Sequence, residues 1–155
     1  MIQSLLTKEP VLFRSPQHMF VYGTLKKGFF NHYVLSDTSK AFYCGEFLTK
    51  TAQYVMYDYG AFPIVSKVET KGNILKGELY IVTPDIIRRM DKLEGHPWWY
   101  KRGRIVLEDG TWAFTYLQPP EMTSDLPEVP ITYTTEEGDY QEWFKSNSYK
   151  VKEKT

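Results

Sequence analysis

The chain has 155 residues, 42% of them apolar and 16% aromatic, with 19 basic and 19 acidic side chains in balance. That length supports one domain with a real core, and zero net charge removes the electrostatic footprint expected of a partner to nucleic acid or an anionic membrane. Cys44 is the single cysteine, which excludes an intrachain disulfide and a multi-cysteine zinc site.

No apolar run reaches the length of a membrane span, and residues 1–10 lack the basic-then-apolar pattern of a signal peptide. The expectation is a cytoplasmic protein that acts on a small neutral or zwitterionic molecule. Residues 1–18 mix Ser, Pro and Gln with scattered apolar residues and read as an irregular arm. Met19-Phe20-Val21-Tyr22 then forms a short apolar run of the kind that fills a buried strand, and Gly23 stops it. A glycine there lets the chain bend so that N–H groups without ladder partners converge, an arrangement suited to an anion.

Gly23 and Gly28 have GxxxxG spacing, but Phe29 and Phe30 stand where a nucleotide phosphate loop requires Lys and then Ser or Thr. A nucleotide site is excluded. The plainer alternative is an ordinary strand and turn whose Lys26 and Lys27 are solvated. Asn31 and His32 follow in a polar connection, where His32 is either a ligand contact or the hydrogen-bond partner of a nearby loop.

From Phe42 to Lys67 the residues are β-branched and aromatic, with Tyr59-Gly60 breaking them as a turn between two strands. Pro63 cannot donate to a ladder and belongs at a strand start, an edge or a bulge. Ile74 to Val82 predicts a further strand, in which Gly77 marks a bulge or the close approach of another group. Thr83 is a natural N-cap, Pro84 suits the first helical position, Asp85 puts negative charge in the first turn, and Gly95 is the matching stop.

Within that helix Ile86, Ile87, Met90 and Leu93 share one face. Glu94, seven residues after Ile87 and four after Met90, projects from the same face. A carboxylate there meets two penalties, the helix C-terminal dipole and removal from water, and both raise its pKa toward neutrality and make it a better general base. The alternative is that the helix frays and Glu94 turns outward to pair with Arg102 or Lys101.

Beyond the helix, His96-Pro97-Trp98-Trp99-Tyr100 is an aromatic cluster that walls a pocket or caps the core. Tyr100–Glu108 and Thr111–Leu117 predict a hairpin joined by Asp109-Gly110, a pair suited to a tight primed turn, with Trp112, Phe114 and Tyr116 on one face. A proline-containing linker leads to Pro130, a polar segment with Thr134, Thr135, Glu136 and Glu137 follows before Gly138, and Asp139–Phe144 is long enough for one or two helical turns. Residues 150–155 are charged and expected to be mobile.

His18, His32 and His96 have no Cys or carboxylate at metal-ligand spacing, so no metal site is expected, and no cofactor signature is present. The GxSxG elbow is missing, as is a convincing Cys and His arrangement for a hydrolase. What remains is a glycine turn able to bind a carboxylate and one carboxylate base at a helix end.

Together these segments resemble the gamma-glutamyl cyclotransferase-like superfamily, most closely its gamma-glutamylamine cyclotransferase branch. The resemblance runs through FVYGTLKKG, Asn31-His32, Val34-Leu35, Phe62-Pro63-Ile64-Val65, Gly77-Glu78-Leu79-Tyr80, Met90-Asp91-Lys92-Leu93-Glu94-Gly95, Tyr100-Lys101-Arg102 and Gly138-Asp139-Tyr140. It implies an α+β fold, a small and mostly antiparallel β-barrel with flanking short helices, over residues 19–145, with a charged tail at 146–155. It also implies a cofactor-free cyclisation of a gamma-glutamyl amine or amino acid to 5-oxoproline.

In that scheme the turn at Tyr22, Gly23, Thr24 and Leu25 binds the substrate's α-carboxylate and Glu94 is the general base. Tyr116 and Tyr80 are candidates for the carbonyl oxygen, although core packing is the commoner role for each. Glu78 is a second candidate base, for which a surface ion pair with Lys76 is the plainer role. An amidohydrolase or acyl-transfer enzyme in the same pocket, and a non-catalytic binding module, stay open as alternatives.

Overall fold

The computed structural model describes residues 14–96, 99–123 and 125–144. Its first strand, β1 (Gln17–Val21), begins two residues inside the segment expected to be an arm and is buried on both faces. Met19 and Val21 enter one apolar cluster while Phe20 and Tyr22 enter the other, which is why the run is continuously apolar rather than alternating.

The chain continues through a single 3₁₀ turn (His32–Leu35) to β2 (Ala41–Leu48), β3 (Tyr54–Asp58), β4 (Pro63–Lys67) and β5 (Ile74–Val82). Next come α1 (Pro84–Glu94), β6 (Lys101–Val106), β7 (Trp112–Leu117), a short 3₁₀ turn (Pro120–Met122), β8 (Tyr133–Thr135) and β9 (Gly138–Gln141). Seven strands join in one mixed sheet of order β6-β7-β1-β5-β9-β8 with β2 also on β5, and β3 and β4 form a separate ribbon. Pairing is antiparallel except for β1 with β7 and β5 with β9.

The class is therefore α+β with mostly antiparallel strands, as the resemblance implies. The sheet is not closed into a barrel among the described residues. Its outer strands β2 and β6 meet just beyond their ends at the Thr49–Leu107 bridge, with Lys50 N–H donating to the Val106 carbonyl and no continuous ladder among the described residues.

Helix α1 forms where the sequence predicts, with Thr83 as N-cap, Pro84 in the first turn and Gly95 ending it in the left-handed region at φ 72°. Thr83 Oγ1 donates to Asp85 Oδ1 rather than capping the backbone. Ile86, Ile87 and Met90 are wholly buried against Met19, Tyr80 and Tyr116, so α1 is held by burial of its apolar face. Pro63 opens β4, and Gly77 marks a close approach: a Cβ there would lie 2.5 Å from the Val21 carbonyl oxygen and 2.6 Å from Phe20 Cζ. The sheet's bulge lies instead in β2, between Tyr43 and Gly45.

Two expectations are corrected. The β6–β7 connection is a three-residue loop, Glu108-Asp109-Gly110, with Gly110 N–H on the Leu107 carbonyl and Gly110 at φ 90°, rather than a two-residue primed turn. Gly138–Gln141 is a strand, not a helix. Where β1 leaves β5 at Glu78, β9 takes over the same edge at Ile74 and Leu75, and Gln141 bonds Met56 N–H through Oε1 and the Met56 and Val129 carbonyls through Nε2. An open strand edge outweighs helix propensity in so short a segment. Residues 1–13, the 145–155 tail and Pro97-Trp98 lie outside the described residues.

Candidate functional site

A cavity of about 380 Å³ opens between the end of β1, the end of α1 and the start of β4, and Tyr22, Gly23, Thr24, Leu25, Glu94 and Tyr116 all line it. The turn after β1 is built by local bonds: Lys26 N–H donates to the Gly23 carbonyl and Asn31 N–H to that of Thr24, while Asn31 Nδ2 donates to Thr24 Oγ1. His32 Nδ1 meets the Leu25 carbonyl at 2.9 Å, so His32 braces the turn and does not line the cavity. Among the described residues the backbone N–H groups of Gly23, Thr24 and Leu25 have no acceptor, although all three residues are buried. Buried donors without an acceptor are costly unless a ligand or solvent satisfies them, and three in succession suit a carboxylate.

The glycine serves a different purpose from the one expected. Gly23 does not occupy the left-handed region. It is small because the Pro63 ring packs on it, 2.9 Å from where a Cβ would lie. Lys26 differs from the solvated reading, being buried with Nζ donating to the Trp143 carbonyl at 2.6 Å, and burial lowers its pKa, whereas Lys27 is exposed.

Glu94 is half-buried at the last position of α1, its backbone carbonyl accepting the Tyr100 N–H, and its carboxylate forms no hydrogen bond or ion pair among the described residues. Loss of water around the carboxylate pushes its pKa up to about 7. Arg102, one of the two partners expected if Glu94 turned outward, is instead ion-paired with Asp91, one turn earlier on α1. Asp91 also accepts the Tyr116 hydroxyl at 2.6 Å. With both acceptor oxygens of Asp91 engaged, the Arg102 charge is neutralised away from Glu94.

Three tyrosines surround Glu94 without donating to it. Tyr22 gives its hydroxyl to the Tyr116 carbonyl at 2.5 Å, Tyr100 to the Pro63 carbonyl at 2.8 Å, and Tyr116 to Asp91. Burial first, and the nearby charge of Glu94 with it, raises the pKa of all three, which keeps them protonated. Tyr116 therefore presents its ring to the cavity while its one proton is held elsewhere. His96 accepts the Arg102 N–H on Nδ1 at 3.0 Å, and burial lowers its pKa, so it stays neutral beside the Tyr116 ring.

Two further candidates lie away from this cavity. Glu78 is buried rather than on the surface, accepting from Lys27 N–H at 3.0 Å and from the Tyr80 hydroxyl at 2.9 Å. Lys76 pairs with Glu46 and Glu142. Glu78 and Tyr80 thus support the turn from behind. Missing from the sequence reading were the Asp91–Arg102 pair and the role of Tyr100 in fixing Pro63; nothing local in the sequence distinguishes Asp91 from Glu94 as the partner of Arg102. Among the described residues no three His, Cys, Asp or Glu side chains gather as metal ligands, and no helix is long and apolar enough to cross a membrane.

This arrangement has relatives. The family model described as "Gamma-glutamyl cyclotransferase, AIG2-like" matches residues 19–142. A protein of Methanocaldococcus jannaschii, provisionally named a gamma-glutamylcyclotransferase, is 35% identical over 133 residues, covering 82% of this chain and 98% of its own. The gamma-glutamylaminecyclotransferase of Rattus norvegicus is 34% identical over 98 residues, 61% of this chain and 66% of that one. The crystal structure of an AIG2-like protein from Mus musculus superposes with a TM-score of 0.62 at 30% identity, covering 74% of this chain and 86% of that one. With the family model spanning most of its length, the chain belongs to the gamma-glutamyl cyclotransferase, AIG2-like family.

Proposed function

We propose that this protein cyclises a gamma-glutamyl amide, releasing 5-oxoproline and the free amine without a cofactor. The carrying observation is a single cavity that holds both an unpaired carboxylate with its pKa near 7 and buried N–H groups without acceptors. The substrate's α-carboxylate binds the N–H groups of Gly23, Thr24 and Leu25 at the end of the Tyr22 strand, and its α-ammonium faces Glu94. The Tyr116 and Tyr100 rings wall the folded gamma-glutamyl chain.

Ionised Glu94 takes one proton from the α-ammonium, and the free amine attacks the γ-carbonyl carbon. As the new C–N bond closes the five-membered lactam, protonated Glu94 gives its proton to the departing nitrogen and then takes the second proton from the attacking nitrogen. The bond to the departing nitrogen breaks on its protonation, and the second proton follows to the released amine through Glu94. Two protons leave one nitrogen and two reach the other, so Glu94 ends as it began. Because the attack is intramolecular, holding a near-attack conformer replaces a covalent intermediate. A base with its pKa near 7 is still substantially ionised at neutral pH yet strong enough to accept the proton.

The test is product analysis with gamma-glutamyl methylamide. Stoichiometric 5-oxoproline and methylamine are expected. Free glutamate in place of 5-oxoproline would make the protein an amidohydrolase, and binding without turnover would make it a binding module.

A further inference from the structure

The cavity has a graded wall. Tyr22, Tyr100 and Tyr116 at its floor are almost fully buried, whereas Phe30, Leu93 and Trp99 at its rim are 64%, 39% and 40% exposed. Phe62 joins the rim and lies in a short aromatic chain: Tyr59 sits 5.1 Å from the Phe62 ring and 6.1 Å from the Trp99 ring. Among the described residues lining the cavity there is no Lys, Arg or His, and Glu94 is the one carboxylate. Of the buried cations, Arg102 is ion-paired with Asp91 and Lys26 Nζ donates to the Trp143 carbonyl.

Resting on the cyclisation just described, we infer that the preferred substrates are gamma-glutamyl amides of uncharged apolar amines, arylalkylamines above all, whose side groups lie on the Phe30, Phe62, Leu93 and Trp99 rim. If the polar gamma-glutamyl end occupies the N–H groups and Glu94, the departing group is left with the apolar rim. A carboxylate on that group would approach Glu94 with no cation to offset the repulsion. An ammonium on it would pair with Glu94, lower the pKa of the base and compete with the α-ammonium. An aromatic ring meets neither penalty and buries apolar surface against the rim.

The experiment compares kcat/KM of the full chain for four gamma-glutamyl compounds: the phenethylamide, phenylalanine (the same ring with an added carboxylate), the cadaverine amide (an added ammonium) and the methylamide (no ring). The phenethylamide is expected to exceed each of the others by at least about tenfold. In Trp99→Ala and Phe30→Ala its advantage over the methylamide is expected to shrink severalfold. A charged compound turned over as well as the phenethylamide, or an advantage that both variants leave intact, overturns the inference while leaving cyclisation standing. If no compound yields 5-oxoproline, cyclisation itself fails, and dissociation constants of the same four compounds decide the order: equal or tighter binding of a charged member overturns the apolar preference.

Discussion

Asp91 and Glu94 stand one turn apart at the end of α1, yet only Asp91 is paired, holding both Arg102 and the Tyr116 hydroxyl. That division leaves Glu94 with neither a cation nor a donor, and its carboxylate responds by holding its proton to about pH 7.

Asp91→Asn tests the division. Arg102 is almost entirely buried, so removing its partner is expected to cost about 3 kcal/mol, measured by urea unfolding. With the negative charge at position 91 gone, the Arg102 charge favours ionised Glu94, and the acid limb of the kcat/KM profile is expected to move to lower pH. An unmoved limb would mean that Arg102 has no influence on Glu94.

Tyr116→Phe separates two roles. With the hydroxyl proton already given to Asp91, its loss is expected to cost about 1–3 kcal/mol of stability and to lower kcat/KM less than about tenfold. A loss of two orders of magnitude or more in kcat would instead make Tyr116 a donor to the reacting carbonyl.

Gly23→Ala introduces a methyl 2.9 Å from Pro63 without backbone strain, since Gly23 lies outside the left-handed region. The expected result is a loss of about 1–3 kcal/mol and a rise in KM that exceeds any fall in kcat, because the crowding displaces the N–H groups rather than the base. Steady-state kinetics and thermal unfolding read the two effects separately.

Glu94→Gln carries a stability signature that is independent of turnover. The folded protein holds the Glu94 proton to about pH 7 whereas the unfolded chain releases it near 4.5, so wild-type stability falls as pH rises through that window. The amide variant lacks this loss. Its stability relative to wild type is expected to rise between pH 4.5 and 7 by at most about 3 kcal/mol and to stay level above, as read from urea midpoints at several pH values. A difference that does not change with pH would place Glu94 in water.

Where local chemistry decides the outcome, the chain is legible. Thr83, Pro84 and Gly95 bound α1 as their types require, and helical phase puts Glu94 on the cavity side from spacing alone. The limits appear where distant segments compete. Asp139–Gln141 has helical composition but meets the edge of β5 that β1 vacates, a fact of topology rather than of the segment. Glu78 alternates as a surface residue would, and is buried because the turn after β1 folds over it and Lys27 N–H reaches its carboxylate. The need for glycine at position 23 was legible, but its cause was not, because Pro63 is forty residues away.

The most direct test of the central claim is 5-oxoproline release from gamma-glutamyl methylamide by wild type and Glu94→Gln from pH 5 to 9. With Glu94 as the base, the wild-type kcat/KM is expected to rise with pH to a midpoint near 7, and the folded variant to be reduced by at least about a thousandfold at every pH. A folded variant that matches wild type, or a wild-type profile that is flat through pH 7, would contradict Glu94 as the base.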